Sequence, residues 1–143
     1  GLLGGVLVVK YGILQIMLLG AILSALTNLL FMVMAGMGKS LWFLAMMISA
    51  DNLSAGMAMA AFVGFLSLLV NREFTAVQYA MFSSVMTLFP KILGGYSGGM
   101  VEALGFGRFF MMTAILGVPV ILMLLYAMKI SAFDFKQAEK DAP

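Results

Sequence analysis

The sequence contains no cysteine and no histidine, and it has few charged residues. Without cysteine the chain forms no disulfide bond, so the redox state of its compartment cannot be inferred from the sequence. Without histidine, a zinc site and histidine-based catalysis are both disfavoured. Imidazole is a usual ligand in the first and the usual proton carrier in the second. These two absences argue against zinc enzymes and against enzymes that use a histidine base.

Only 10% of the 143 residues are charged, whereas 64% are hydrophobic. A typical soluble domain carries about 25% charged residues and about 45–50% apolar residues. A soluble fold built from this chain would have too few polar groups to cover its surface. The composition therefore predicts a membrane protein.

Long apolar runs divide the chain into predicted membrane-spanning segments. A helix needs about 20 residues to cross the hydrocarbon core, whereas a barrel strand needs about 10 residues of alternating polarity. The runs here are continuous and long, so we predict an all-α membrane protein. The predicted spans cover residues 13–35, 41–70, 75–104 and 109–128, and a polar tail covers residues 131–143.

Residues 1–9 are also apolar, but a helix of this length is too short to cross a membrane alone. The segment has neither the basic start nor the small-residue cleavage site of a signal peptide. We therefore expect residues 1–9 to be the end of a longer transmembrane helix. On this interpretation the chain is the C-terminal part of a larger protein.

The distribution of basic residues predicts the orientation, because lysine and arginine concentrate in cytoplasmic loops. Alternation of the spans puts a larger group of basic residues on one side of the membrane and a smaller group on the other. The larger group is Lys10, Arg72, Lys129, Lys136 and Lys140, and the smaller group is Lys39 and Arg108. The larger group predicts a cytoplasmic C-terminus.

Asp51 and Asn52 stand in the middle of an otherwise apolar run. An aspartate near the centre of a membrane helix costs about 2.5–3.5 kcal/mol, and such residues usually face the bundle interior or a water-filled cavity. Small residues surround Asp51, and they allow either close helix packing or room for a substrate. Asp51 is therefore a functional candidate; the alternative is a buried polar group that only fixes helix packing.

Lys91 is the second unusual charge, and it directly follows Pro90, which interrupts helical hydrogen bonding. Counting residues from the predicted cytoplasmic ends puts Asp51 and Lys91 within about one helical turn of the same depth. An ion pair between them is one hypothesis, because pairing offsets part of the cost of burying two charges. The other is a lysine that reaches into a pore alone.

Other polar and small residues in the spans are typical of helix packing. Two overlapping small-xxx-small patterns predict that another helix approaches closely. Their glycines are Gly94, Gly95, Gly98 and Gly99. The side chains that we expect to form interhelical hydrogen bonds are Thr27, Asn28 and Gln78.

Four stretches in the second part of the chain form a recognisable combination. They read "DNLSAGMAMAAFVGFLSLL" from Asp51, "FTAVQYAMFSS" from Phe74, "GGYSGGMVEALGFGRFF" from Gly94 and "GVPVILMLL" from Gly117. Together they resemble the C-terminal part of the AmpG-type muropeptide permeases, which belong to the major facilitator superfamily. The segment Gly4–Gly12 is similar to that superfamily's loop between the eighth and ninth helices.

This resemblance implies a helix bundle from the end of helix eight through helix twelve of a twelve-helix transporter. It implies an inner-membrane symporter that imports anhydromuropeptides with protons, by alternating access between two six-helix halves. Asp51 would couple transport to protons, and Asn52, Gln78 and Lys91 would line the substrate path. The implied partners are membrane lipid, a muropeptide-like substrate, protons and the N-terminal half, without a cofactor, metal ion or nucleic acid.

Two other functions stay open at this point. A permease of the same superfamily could carry a siderophore or acetyl-CoA instead. A small four-helix membrane scaffold or subunit would transport nothing. An intramembrane enzyme is the least favoured class, since the spans contain no histidine, no cysteine and no pair of acidic residues.

Overall fold

The computed structural model describes residues 1–37, 40–69 and 75–140. Within these ranges the chain is all-α, as predicted, and contains no strand. The five helices are α1 (Leu2–Tyr11), α2 (Ile13–Met37), α3 (Leu41–Leu69), α4 (Thr75–Leu104) and α5 (Phe106–Lys140).

Single glycines separate two pairs of consecutive helices. Gly12, between α1 and α2, has a φ of 92°, and Gly105, between α4 and α5, has a φ of 78°. These angles lie in the left-handed region, which glycine adopts without the steric cost of a Cβ atom. The amide of Gly105 still donates to the carbonyl of Val101 at 2.8 Å. The chain therefore changes direction within one residue at both points.

The central helix is α2, which packs against α3 on one side and against α5 on the other. The contact with α5 is antiparallel. Near the end of α2, the ring of Phe31 stacks on Phe110 near the start of α5, with centroids 5.0 Å apart. Further along, Ala25 lies beside Gly117, where an added Cβ would be 3.5 Å from the alanine methyl.

The contact between α2 and α3 is also antiparallel and has a regular register. Ile13 lies beside Gly64, and Gly20 lies against Ala58. Thr27, seven residues further along α2, meets Asp51 through a hydrogen bond. A seven-residue spacing keeps successive contacts on one side of a helix that packs at a shallow angle. The register therefore places Asp51 opposite Thr27.

Glycines allow the helices to approach α3 closely. A Cβ added at Gly20 would lie 2.8 Å from the Cβ of Ala58 and 3.0 Å from its Cα. A Cβ added at Gly4 of α1 would lie 2.8 Å from the Cα of Met57. Both glycines are buried. Small residues at such crossings allow the backbone contacts that hold membrane helices together.

Three of the five helices contain segments that are long and apolar enough to cross a membrane, namely Ile13–Met37, Leu41–Ser67 and Phe106–Ser131. They correspond to the spans predicted over 13–35, 41–70 and 109–128, with residue 70 outside the described ranges. Helix α4 matches the bounds predicted over 75–104, but it is not among these three. Its role as a span stays a prediction.

The two ends of α5 differ from the predicted ends. The predicted spans left residues 105–108 between two helices, but α5 begins at Phe106, so only Gly105 lies between α4 and α5. Helix α5 also continues through most of the predicted tail and ends at Lys140. Polarity marks where a helix leaves the hydrocarbon core, whereas the helix itself ends only where its backbone hydrogen bonds end.

The antiparallel packing agrees with the predicted grouping of the basic residues. Lys10 lies just before α2, and Lys129 lies at the same end of the bundle, because the end of α5 meets the start of α2. Arg108 lies at the opposite end. Lys39 and Arg72 lie outside the described residues. The grouping does not itself show which end is cytoplasmic.

Helix α4 is the exception to this packing. It makes few contacts with α3 and α5, and none of its described side chains is buried. Large apolar side chains such as Phe89 and Tyr96 are 64% and 71% exposed. Within this chain, α4 therefore presents most of its surface to its surroundings.

The close crossing at Gly20 generates a stability prediction. Gly20→Ala should lower the free energy of unfolding in detergent by about 1–3 kcal/mol, because the new methyl group would overlap Ala58. Gly36→Ala is a matched control in the same helix, where nothing lies within 4 Å of an added Cβ. It should be neutral or stabilising by up to about 1 kcal/mol, since alanine favours helix. Equal effects of the two substitutions would contradict the described crossing.

Candidate functional site

Asp51 lies on α3 at the edge of its contact with α2, and its side chain is half-buried. The hydroxyl of Thr27 on α2 lies 2.9 Å from Asp51 Oδ1 and is placed to donate a hydrogen bond to it. This bond joins α2 and α3, which follow each other in the chain and are separated by a short connection. It gives the carboxyl group a fixed position in the bundle.

Two further polar groups surround this bond. The Thr27 hydroxyl is also 2.9 Å from the carbonyl oxygen of Ser24, in the preceding turn of α2. The hydroxyl of Ser54 donates to the backbone carbonyl of Asp51 at 2.8 Å. Thr27 and Ser54 are only 4% and 1% exposed. We call Ser24, Thr27, Asp51 and Ser54 the Asp51 cluster.

No basic side chain pairs with Asp51 among the residues that the structure describes. Lys91 is exposed on α4, and the structure does not bring it to Asp51. The hypothesis of an ion pair rested on similar depth, but equal depth produces contact only between packed helices. Helix α4 touches α3 too little to bring the two charges together. The partner of Asp51 is instead a neutral hydroxyl.

Asn52 lies next to Asp51 in sequence but on a different side of α3, where it is exposed. Its amide nitrogen donates to the carbonyl of Ile48 at 2.7 Å, in the preceding turn. This bond uses one of the amide hydrogens, and the side chain stays exposed. Asp51 and Asn52 therefore differ in environment, one held between helices and one presented outward.

The remaining candidates lie on α4, away from the Asp51 cluster. Gln78 is half-buried near the start of the helix, and Lys91 is exposed near its middle. The four glycines predicted to serve packing are exposed, and nothing in the described chain lies within 4 Å of an added Cβ at any of them. These glycines are Gly94, Gly95, Gly98 and Gly99. Their packing role stays a prediction.

A surface cavity of about 600 Å³ lies along the first turns of α4. Its described lining comes from α4 alone and is mostly apolar, so it belongs to the same unpartnered helix. The cavity is not lined by the proton-coupling candidate Asp51 or by the path candidates Asn52, Gln78 and Lys91. Its lining residues are Ala76, Val77, Ala80, Met81, Ser84 and Val85.

The described residues contain no group of three acidic, histidine or cysteine side chains that could hold a metal ion. The Asp51 cluster offers one carboxyl group, the hydroxyl groups of Thr27 and Ser54, and the backbone carbonyl of Ser24. A carboxyl group can exchange a proton, and hydroxyl groups can donate or accept hydrogen bonds in either of its states. The cluster is therefore suited to proton binding.

The interhelical hydrogen bond expected for Thr27 is confirmed, but the sequence did not identify Asp51 as its partner. The positions of Thr27 and Asp51 relative to the ends of their helices could have indicated this pairing. Thr27 lies as many residues before the end of α2 at Met37 as Asp51 lies after the start of α3 at Leu41. An antiparallel pair of helices with a short connection places such positions opposite each other. Ser24 and Ser54 gave no comparable signal.

Comparison with known proteins identifies relatives of this chain. It is 38% identical over 125 residues to a Rickettsia bellii protein named "Putative transporter AmpG 1", covering 87% of this chain and 30% of that protein. It is 30% identical over 126 residues to "Putative transporter AmpG 4" of Rickettsia conorii, covering 88% of this chain and 30% of that protein. The chain is therefore similar to proteins named as AmpG transporters, and the predicted resemblance is confirmed.

The same-named AmpG 1 protein of Rickettsia prowazekii is 35% identical over 125 residues, with 87% of this chain and 28% of that protein covered. The chain thus spans about 30% of the length of the curated relatives it matches. No family model matches the chain, and no solved structure matches it. The relatives are named as transporters, which points away from an enzyme, and three described helices contain segments long and apolar enough to cross a membrane.

The position of Asp51 can be tested by cross-linking, because the chain has no cysteine of its own. Thr27→Cys combined with Asp51→Cys should form a disulfide readily on mild oxidation, since the two native side chains are in hydrogen-bond contact. Asp51→Cys combined with Lys91→Cys is the matched control and should not. Gel mobility before and after reduction measures both. Efficient cross-linking of only the second pair would restore the ion-pair hypothesis.

Proposed function

We propose that this chain forms part of a proton-coupled permease that imports anhydromuropeptides across the bacterial inner membrane. The observation that carries the proposal is the environment of the Asp51 side chain. It is a half-buried carboxyl group in the interior of an apolar helix, and its described side-chain partner is a neutral hydroxyl. The transporter names of the relatives support the same class of function.

A carboxylate inside a membrane helix is costly, and neutral hydroxyl groups offset only part of that cost. Protonation removes the charge and with it most of the cost. In the proposed cycle, Asp51 takes a proton from the outer side, which favours the conformation that carries it inward. Release of the proton on the cytoplasmic side restores the charge. The proton gradient thereby drives the cycle in one direction.

The substrate path in this proposal runs along the open sides of α3 and α4. In this proposal Asn52 on α3 and Gln78 and Lys91 on α4 line the path with amide and ammonium groups. Helical spacing puts small and polar residues on one side of α4, in steps of three or four positions. They are Ala80, Ser84, Thr87, Lys91, Gly94 and Gly98. Hydroxyl, amide and ammonium groups suit the sugar and peptide groups of a muropeptide.

The open glycines of α4 support a second part of the proposal. We infer that the N-terminal half of the same transporter packs against α4 and that membrane lipid covers the other exposed apolar side chains. Alternating access would then move the two halves around the path. In this arrangement the C-terminus lies in the cytoplasm, as the basic residues predict.

Uptake into membrane vesicles tests the proposal. Vesicles containing the full-length protein should accumulate labelled anhydromuropeptide when a proton gradient is present, and an uncoupler should abolish the accumulation. Asp51→Asn should retain exchange of substrate across the membrane but lose gradient-driven accumulation. The amide keeps the size of the carboxyl group but cannot exchange the proton.

Vesicles with Asn28→Gln serve as a matched control, since Asn28 is a membrane amide outside the Asp51 cluster, and they should accumulate substrate like the wild type. Full gradient-driven accumulation by Asp51→Asn would remove Asp51 from the coupling role. Competition by a siderophore or acetyl-CoA, without competition by anhydromuropeptide, would assign a different cargo to the same fold. A folded protein that takes up none of the three would contradict transport of these classes.

A further inference from the structure

The Thr27 hydroxyl lies at equal distance from two acceptors that it cannot serve at once. It is 2.9 Å from Asp51 Oδ1 and 2.9 Å from the carbonyl oxygen of Ser24. A threonine hydroxyl has one proton to donate, and its oxygen can accept two further hydrogen bonds. The geometry therefore allows two arrangements, and they differ in which acceptor receives the hydroxyl proton.

We propose that Thr27 is a positioning residue that reverses its hydrogen bond when Asp51 gains a proton. This inference rests on the proposed proton coupling at Asp51. With Asp51 ionised, the Thr27 hydroxyl donates to Oδ1, because a carboxylate can only accept. With Asp51 protonated on Oδ1, the carboxyl O–H donates to Thr27 Oγ1. The hydroxyl proton of Thr27 then turns to the Ser24 carbonyl.

The proton balance of this step is simple. Asp51 gains one proton from water, and its charge changes from negative to neutral. Thr27 keeps its own proton throughout and only rotates its hydroxyl. The O–O contact between α2 and α3 persists in both states with its donor and acceptor exchanged. Asp51 Oδ1 and Thr27 Oγ1 each keep a hydrogen-bond partner in both arrangements.

This property matters because Thr27 is buried, with only 4% of its surface exposed. A polar group without a partner in an apolar interior is costly. If the neighbour of Asp51 could only donate, its hydrogen bond would weaken when Asp51 became protonated, because a carboxylic acid is a weaker acceptor than a carboxylate. An apolar neighbour would leave the carboxylate without a donor. A hydroxyl with a second acceptor in its own helix satisfies both states. The carboxyl group can therefore exchange a proton while α2 and α3 stay joined.

Among the described residues, no other charged or titratable group contacts Asp51, so Thr27 is the described side-chain partner of its carboxyl group. Helix α2 carries no titratable side chain, and α3 carries none other than Asp51. On α1 the amine of Gly1 lies beside Gly56, more than one helical turn from Asp51. None of the titratable groups described on α1 and α4 forms an ion pair or hydrogen bond with Asp51. Those groups are the Gly1 amine, Lys10, Tyr11, Tyr79, Lys91, Tyr96 and Glu102.

The test compares Thr27→Val, which keeps the shape but loses the hydroxyl, with Thr27→Ser, which keeps the hydroxyl. Thr113→Val is the matched control, because Thr113 donates to the carbonyl of Phe110 in its own helix and to no carboxyl group. Each variant is made in the full-length protein. Infrared difference spectra between high and low pH record the carbonyl band of protonated Asp51, assigned by its absence in Asp51→Asn.

Thr27→Val should shift this carbonyl band, whereas Thr27→Ser and Thr113→Val should leave it in place. The pH profile of uptake should also differ from that of the wild type in Thr27→Val, because the hydroxyl group that hydrogen-bonds Asp51 is lost. Thr27→Ser should restore the wild-type profile. A merely structural role of Thr27 would move neither the band nor the profile of a folded variant.

An unchanged band in folded Thr27→Val would overturn the proposal, as would the same band shift in Thr27→Val and Thr27→Ser. If Thr27→Val does not fold, Thr27→Ala and Thr27→Ser are compared in the same way. The infrared measurement needs no transport. A protein with the predicted band shifts but without proton-driven uptake would therefore reject the proposed function and retain the hydrogen-bond reversal.

Discussion

The structure depends on the close antiparallel contact between α2 and α3. Gly20 brings the two backbones together at Ala58, and the register that follows sets Thr27 against Asp51. A larger residue at position 20 would separate the helices and leave the carboxyl group without its partner. Helix α5 packs on the other side of α2 and α1 fits against α3, so the other packed helices are arranged around this pair. A backbone contact between small residues thus determines where an ionisable group can lie.

The contact also explains how the chain can hold an acidic residue at all. An aspartate in an apolar helix needs a partner, and a basic side chain would neutralise it permanently. A hydroxyl group from a neighbouring helix offers hydrogen bonding without charge, so the acid stays able to take up and release a proton. Under the proposed function, this property distinguishes Asp51 from a purely structural polar group. The transporter names of the relatives support the proposed function.

The helices could be predicted from sequence because continuous apolar runs of this length allow few other structures. The membrane class and the bounds of α4 were predicted for the same reason. The partner of Asp51 was not, because depth along a helix is readable from sequence whereas the identity of the neighbouring helix is not. Lys91 lies at a suitable depth but on a helix that hardly touches α3. The glycines of α4 likewise show that a helix can approach closely but do not identify which one.

The hydrogen bond between Thr27 and Asp51 should stabilise the contact between α2 and α3. A double-mutant cycle measures this stabilisation, with unfolding of Thr27→Val, Asp51→Ala and the combined variant followed in detergent. We expect a coupling free energy of about 1 kcal/mol, within the range of interhelical hydrogen bonds in membranes. The same cycle with Thr113→Val in place of Thr27→Val should be additive. Additivity of the Thr27 and Asp51 substitutions to within about 0.3 kcal/mol would contradict the claim.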